Sequence, residues 1–378
     1  MTRRTLAGLI LSIVLGVLLA ACATTPGSGT TGTTTGAAGN ENTAATEAAG
    51  TEAPSGEKQE LHVYNWSTYI SEDLIPKFEQ QYNAKVTYDI FADNDELLAK
   101  IQPGNPGYDI IVPTDYMVEI MIGDDLLETL DKSKISNFGN IDDAFVDPPY
   151  DPGNDHCVPY QWGTVGLGYN EKATGGPIDS WDVMFNGEHA GRISWQTESR
   201  LTLGATLIYL GYDPNTTNPD EIAAARDKLL ETKQDVVAFA PDTGQILLDQ
   251  GEVDIAFEYS GDIFQIMENN PDIRYVIPKE GTIIWTDNLC IPKGAPNPDL
   301  AHKFIDFILD AQNGADLSNY TAYGTPNKAS LPMIDEELRN NPGIYPSEET
   351  RKHMYFIKSL GDADQLYEDA WTKLGVGQ

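Results

Sequence analysis

Short apolar runs alternate with amphipathic stretches along the chain, in a pattern that begins sharply at Glu60. Leu61-His-Val-Tyr-Asn-Trp reads as a buried strand, and Ser71 to Tyr82 as a helix with Leu74, Ile75, Phe78 and Tyr82 on one face. Ala84-Lys-Val-Thr-Tyr-Asp-Ile predicts a second strand, 95–101 a helix, and Tyr108-Asp-Ile-Ile-Val-Pro a third strand before a helix at 116–121. A second series follows, with strands at 192–195, 236–240, 253–259 and 274–277. Between them the spacing predicts helices at 201–210, 219–230, 244–249 and 262–267. After Cys290-Ile-Pro come a helix over 298–310, a loop through Tyr323-Gly-Thr-Pro-Asn, and C-terminal helices to Leu374.

This alternation predicts an α/β fold, a parallel or mixed sheet with helices on both faces. No internal repeat of solenoid length interrupts it. At 378 residues the chain is long for one compact core and suits two lobes. Ligands of such sheets sit beyond the carboxyl ends of the strands, where Asn65-Trp66-Ser67 and Pro113-Thr114-Asp115-Tyr116 fall.

The first 59 residues follow another pattern. Met1-Thr-Arg-Arg is a short basic start, Leu6 to Ala21 is apolar, and Leu19-Ala20-Ala21 leads into Cys22. This is the architecture of a secretory signal, a little short for a comfortable membrane span. The Leu-Ala-Ala-Cys box resembles the bacterial lipoprotein signal, which implies removal of 1–21 and diacylation of Cys22 as the new N-terminus. A plain signal peptide or an N-terminal membrane anchor is the other reading. From 22 to 59 the chain is rich in Thr, Gly and Ala, with almost no aromatic or branched aliphatic residue to bury. It is expected to be a disordered tether above the membrane in which the Cys22 acyl chains insert. The expected location is therefore outside the cytoplasm, lipid-anchored on the periplasmic or extracellular face of the cell membrane.

Hydrophobic residues make up 40% and charged residues 22%, so most of the chain reads as globular. The formal net charge is −34 at pH 7. A surface this acidic repels nucleic acid and attracts cations, although solubility alone also explains it. The five histidines (His62, His156, His189, His302, His353) are scattered. Cys157 and Cys290 lack a CxxC partner or a histidine at metal spacing, so no metal site and no Cys/His nucleophile is expected. Cys157-Val-Pro and Cys290-Ile-Pro look alike at the two expected lobe crossings. Side by side they would form a disulfide, which an extracytoplasmic setting permits; two separate buried thiols is the equal alternative.

Several motifs occur in one order: Val63-Tyr-Asn-Trp-Ser-Thr-Tyr-Ile, Tyr108-Asp-Ile-Ile-Val-Pro-Thr-Asp-Tyr, Pro159-Tyr-Gln-Trp-Gly-Thr, Gly251-Glu-Val-Asp, Ile277-Pro-Lys-Glu-Gly, Trp285-Thr-Asp-Asn and Tyr323-Gly-Thr-Pro-Asn. As an ordered set they resemble the spermidine/putrescine-binding proteins of bacterial ABC importers, from Leu61 nearly to the C-terminus. The resemblance implies a two-lobed periplasmic-binding-protein-like fold of type II, each lobe a mixed sheet flanked by helices. One lobe would take 60–163 with 288–334, the other 164–287 with 335–378. The chain would capture putrescine or spermidine between the lobes and deliver it to permease subunits, working as a monomer without a cofactor.

By the same resemblance, aromatic walls fall on Trp66, Tyr69, Tyr116, Trp285 and Tyr323, and Tyr259 stands where relatives usually carry tryptophan. Acidic groups fall on Glu198, Asp262 and Asp287, with Ser67 and Thr114 as hydroxyl partners. Asp115 replaces a hydroxyl residue of some relatives. Leu201 stands where spermidine binders tend to carry a second acid, Ile357 where they carry glutamine, and Pro241 in place of a serine. Asp262 matches the putrescine type and Glu198 the spermidine type, so ligand length stays open.

The chemistry also follows from the residues. A polyamine is a string of ammonium groups separated by methylenes. Each ammonium taken from water needs a carboxylate or several acceptors, and aromatic faces suit both methylenes and cations. Each residue has a plainer reading: Trp66, Trp285 and Tyr323 as packing, like Trp162 and Trp195; Asp262 as a helix N-cap after Gly261; Glu198 as a solvated acid beside Arg200. A carboxylate or phosphate ligand would call for arginines, and Arg200 is the only one near the expected cleft. Alternatives are a same-fold binder of another amine, an amino acid or a metal chelate. A carboxylate-pair hydrolase is the enzymatic alternative, yet no GxSxG, HExxH, P-loop or GxGxxG motif supports catalysis.

Overall fold

A computed structural model describes residues 57–376. The expected signal peptide (1–21), Cys22 and the tether up to residue 56 lie outside the described residues. The strands are β1 (Gln59–Trp66), β2 (Ala84–Phe91), β3 (Ile110–Ile111), β4 (Cys157–Asn170) and β5 (Ile193–Gln196). They continue with β6 (Val236–Ala240), β7 (Ile255–Tyr259), β8 (Ile273–Val276), β9 (Thr282–Cys290) and β10 (Met354–Tyr355). β1 takes in Gln59, the last residue of the expected tether.

The strand order is β2-β1-β3-β9-β4-β7-β5-β6, with β8 also on β4 and β10 on β9. At one end β1 runs parallel to β2 and β3; at the other, β5 runs parallel to β6 and β7. Between these parallel wings β4 and β9 lie antiparallel, pairing from Cys157↔Cys290 to Thr164↔Ile284. The second half of β4 then pairs with β7 and β8. One 14-residue strand thus belongs to both wings.

β4 and β9 correct the sequence reading, which predicts no strand at either crossing. Local rules discount β4 because Pro159, Gly163, Gly166 and Gly168 are strand breakers in isolation. Here the register shifts between Pro159 and Gln161, a bulge that accommodates the proline. Gly163 is needed for a different reason: a Cβ there would stand 2.8 Å from the Trp285 ring and 2.9 Å from the Tyr323 ring. The glycine lets two aromatic side chains close over the strand.

Directly opposed on these strands, Cys157 and Cys290 form a disulfide with Cα atoms 4.5 Å apart. Thiol titration of the denatured, unreduced chain, carrying Cys22→Ser so that only these two count, should find no free thiol; two free thiols would contradict the bond.

The helices surround both wings. Leu74–Tyr82 begins after Asp73, three residues later than its pattern suggests, and Asn94–Ile101 is capped by Asp93, whose side chain accepts from the Glu96 amide. Pro298–Ile308 packs on β1, whereas Asp364–Leu374 packs on Ser199–Tyr209 and Pro219–Thr232 in the other wing. A helix at Ala311–Thr321 corrects the expected loop before Tyr323. Its run of small and polar residues hides the periodicity, and Asp310 caps it by accepting from the Gln312 and Asn313 amides. Among the described residues no helix is long and apolar enough to cross a membrane.

Candidate ligand-binding cleft

The strand ends of both wings and the crossing strand β9 bring the candidate residues together. β1 ends at Trp66, whose indole N–H donates to the Val112 carbonyl at 3.0 Å, fixing the ring against the turn after β3. That turn carries Thr114, Asp115 and Tyr116 into the helix Asp115–Gly123. β7 ends at Tyr259 and leads directly into the helix Ser260–Met267, which places Asp262 in its first turn. Tyr259 occupies the cap position, so the N-cap reading of Asp262 is corrected. A Cβ on Gly261 would stand 2.5 Å from the Tyr323 ring, so this glycine lets the ring lie against the helix start.

Two adjoining cavities share Thr114, Tyr259 and Trp285 as a common wall. Trp66, Ser67, Tyr69, Asp262, Asp287 and Tyr323 line the first, together with Asp242. Asp115, Tyr116 and Glu198 line the second, otherwise bounded by Leu201, Ile283, Ile284 and Ile357. All twelve sequence-selected residues therefore face one cavity or the other. Trp162 and Trp195 lie outside both: Trp162 packs edge-on to Tyr345 and Trp195 stacks with Trp181.

Aromatic rings enclose the first cavity edge to face. Trp285 and Tyr323 are 5.2 Å apart between centroids, Tyr69 and Tyr323 5.1 Å, and Tyr259 and Trp285 5.7 Å. Such walls offer apolar surface to methylenes and π-faces to cations.

Five buried carboxylates line these cavities, Asp115, Glu198, Asp242, Asp262 and Asp287, and a sixth, Glu258, lies beside Asp242 and Asp262. Thr114 donates its hydroxyl to Asp287 Oδ1 at 2.7 Å, and Tyr323 donates to Asp262 Oδ2 at 2.6 Å. Thr68 donates to Asp262 Oδ1 at 2.6 Å, and Ser67 to Asp242 Oδ2 at 2.5 Å. Glu198 receives the hydroxyls of Tyr116 at 2.7 Å and Tyr259 at 3.2 Å, and the Asn94 amide at 3.2 Å. Ser67, Thr68, Asn94 and Tyr116 come from one wing and their acceptors from the other, so these bonds hold the cleft closed. Asp115 differs: each oxygen already accepts a backbone N–H, from Tyr116 at 2.7 Å and Thr286 at 3.0 Å.

Among the described residues none of the six carboxylates forms a salt bridge. Burial disfavours their charged forms, raising Glu198 and Asp115 to about 7, Glu258 to about 8 and Asp262 to about 6. Asp242 and Asp287 are pushed well above the usual carboxylate range, again chiefly by burial. The expected solvated setting of Glu198 is corrected, since it is only 6% exposed. Arg200 lines neither cavity: its guanidinium pairs with Asp364 and lies over the Tyr367 ring at 4.2 Å.

Sequence reasoning missed Asp242 and Glu258. One oxygen of each lies within 4.8 Å of one of Asp262, a grouping that also has the donor set to hold a metal ion. The signals were there: an acid inside the apolar run Ile255-Ala-Phe-Glu-Tyr, and an acid directly after Pro241.

A two-winged α/β body with an acidic, aromatic cleft at its strand ends is the architecture of a solute-binding protein. The bacterial extracellular solute-binding protein family matches residues 73–346, and the chain belongs to it. Within that family it falls among the spermidine/putrescine-binding proteins. It is 36% identical over 346 residues to the putrescine-binding periplasmic protein SpuD of Pseudomonas aeruginosa, covering 86% of this chain and 94% of the relative. The spermidine/putrescine ABC transporter substrate-binding protein PotD of Streptococcus pneumoniae superposes with a TM-score of 0.72 at 34% identity, covering 84% of this chain and 99% of that one. The TpPotD lipoprotein of Treponema pallidum gives a TM-score of 0.74 at 31% identity, with coverages of 84% and 99%. The fold is thus the two-lobed periplasmic-binding-protein type.

Proposed function

We propose that this chain is the substrate-binding component of an ABC importer, capturing a polyamine in its cleft and handing it to membrane permease subunits. The observation that carries the reading is the set of buried carboxylates with no basic partner, enclosed by five aromatic rings. An unpaired buried charge is costly, and an alkyl-linked ammonium supplies the missing partner while its methylenes fill the aromatic walls. Arg200, committed to Asp364, leaves no arginine to favour an anionic ligand. The cleft binds and releases its solute without chemistry.

The lobes are 60–163 with 288–334 and 164–287 with 335–378, a division supported by the packing of Pro298–Ile308 on β1 and of Asp364–Leu374 in the other wing. The chain is exported, lipid-anchored through Cys22 and monomeric; the Leu-Ala-Ala-Cys box and the kinship with a Treponema lipoprotein support the anchor. In the test, tryptophan fluorescence or calorimetry follows titration of the purified chain with putrescine, spermidine, arginine and glucose. Micromolar or tighter binding is expected for a polyamine and none for glucose. No response to either polyamine would sink the proposal.

A further inference from the structure

Glu258 is the buried acid that the aromatic cleft does not account for. It is fully buried in β7, and its Oε1 accepts from Gln196 Nε2 at 2.5 Å and from the Tyr259 amide at 3.0 Å. Its Oε2 lies beside Gly244, whose backbone N–H offsets the burial in part, and no side chain among the described residues donates to it. A carboxylate oxygen left short of donors in the interior is costly. Beside it stand Asp242 and Asp262, each offering an oxygen within 4.8 Å of the other two. Asp242 is held there in the left-handed region, at φ 43°. Both aspartates line the first cavity with Tyr259 and Tyr323, and Glu258 stands directly beside them.

We propose that Asp242, Glu258 and Asp262 form a receptor for a primary ammonium terminus, one carboxylate for each N–H, and so select ligands with an unsubstituted –NH3+ end. The inference rests on the polyamine reading and specifies one end of the ligand. Three acceptors around a tetrahedral nitrogen, each ~2.8 Å away, stand ~4.6 Å from one another. The oxygens of the triad lie within 4.8 Å of one another, close enough to be shared by one nitrogen. A guanidinium spreads five donors over a plane and suits acceptors set wider apart. A calcium ion needs ~6–8 oxygen ligands, whereas hydroxyl hydrogens of Ser67, Thr68 and Tyr323 already occupy oxygens of the two aspartates. The alkyl chain leaving the nitrogen meets the aromatic walls, which a bare ion would not use.

The test compares the full chain with its Glu258→Gln variant against putrescine and N,N′-dimethylputrescine, whose ends each have one N–H fewer. The parent chain should prefer putrescine at least tenfold. Glu258→Gln should lose at least tenfold in putrescine affinity and markedly less for the dimethyl ligand, so that the preference narrows. Thermal unfolding of the ligand-free variant should be no lower than the parent's, because the variant removes a buried acid. Putrescine binding with an unchanged preference in Glu258→Gln overturns the triad and leaves the function standing. A parent chain that binds neither amine overturns both. Tight binding of calcium chloride alone, competing with putrescine and lost in Glu258→Gln, overturns the ammonium assignment in favour of a metal.

Discussion

Asp287→Asn is expected to weaken putrescine binding by at least ~2 kcal/mol, about a thirtyfold rise in Kd. Asp287 lies on β9 at the floor of the cleft, 4% exposed, with Thr114 donating to one oxygen. Its carboxyl is held well above the usual range by burial, and the Thr114 and Tyr69 hydroxyls offset only part of that. Asparagine keeps the shape and the bond to Thr114 but removes the charge an ammonium would seek. The same change should leave ligand-free stability nearly unchanged, because burial already favours the uncharged carboxyl and asparagine keeps its shape. Calorimetric titration and thermal unfolding, run side by side, separate the two effects. Unchanged affinity would remove Asp287 from the ligand. Lost affinity together with a lowered melting temperature would make Asp287 a structural residue instead.

What the sequence made legible follows physical lines. β1, β2 and the helix after each announce themselves as short apolar runs and amphipathic stretches, and Trp66 and Thr114 could be placed at strand ends from that pattern alone. β4 could not, since it is buried along nearly all its length and built on Pro159 and glycines. Its strand character comes from neighbours more than about 80 residues away in the chain. The same holds for the site. Asp262 and Asp287 stood in motifs, whereas Asp242 and Glu258 become partners of Asp262 only when β7 and the loop after β6 meet. Asp115 lines the second cavity, yet it engages both oxygens with backbone amides and braces β9 at Thr286 against the helix start. Leu201 and Ile357 do reach the second cavity, where they replace polar groups by apolar walls around Glu198.

Ligand-free protein is expected to lose stability as pH rises from about 5 to 8, while its putrescine affinity climbs over the same range. Asp262, Asp115, Glu198 and Glu258 have folded values of about 6, 7, 7 and 8, all raised chiefly by burial. The unfolded chain releases these protons near pH 4, so between pH 4 and 8 the folded state holds more of them. Stability therefore falls with rising pH across that window and levels off above about 8. One carboxyl raised from 3.8 to about 7 corresponds to at most ~4 kcal/mol, since each unit is worth ~1.4 kcal/mol. A bound dication reverses the sign. Its ammonium groups stay charged throughout, and each carboxylate must shed its proton to meet one, so affinity rises up to tenfold per pH unit for each proton released. Melting temperatures from pH 5 to 8.5, with and without saturating putrescine, should diverge as pH increases. Calorimetry in two buffers of different ionisation enthalpy would count the protons released. Parallel melting curves with no proton release would mean that these buried acids are satisfied by their hydroxyl partners and await no cation.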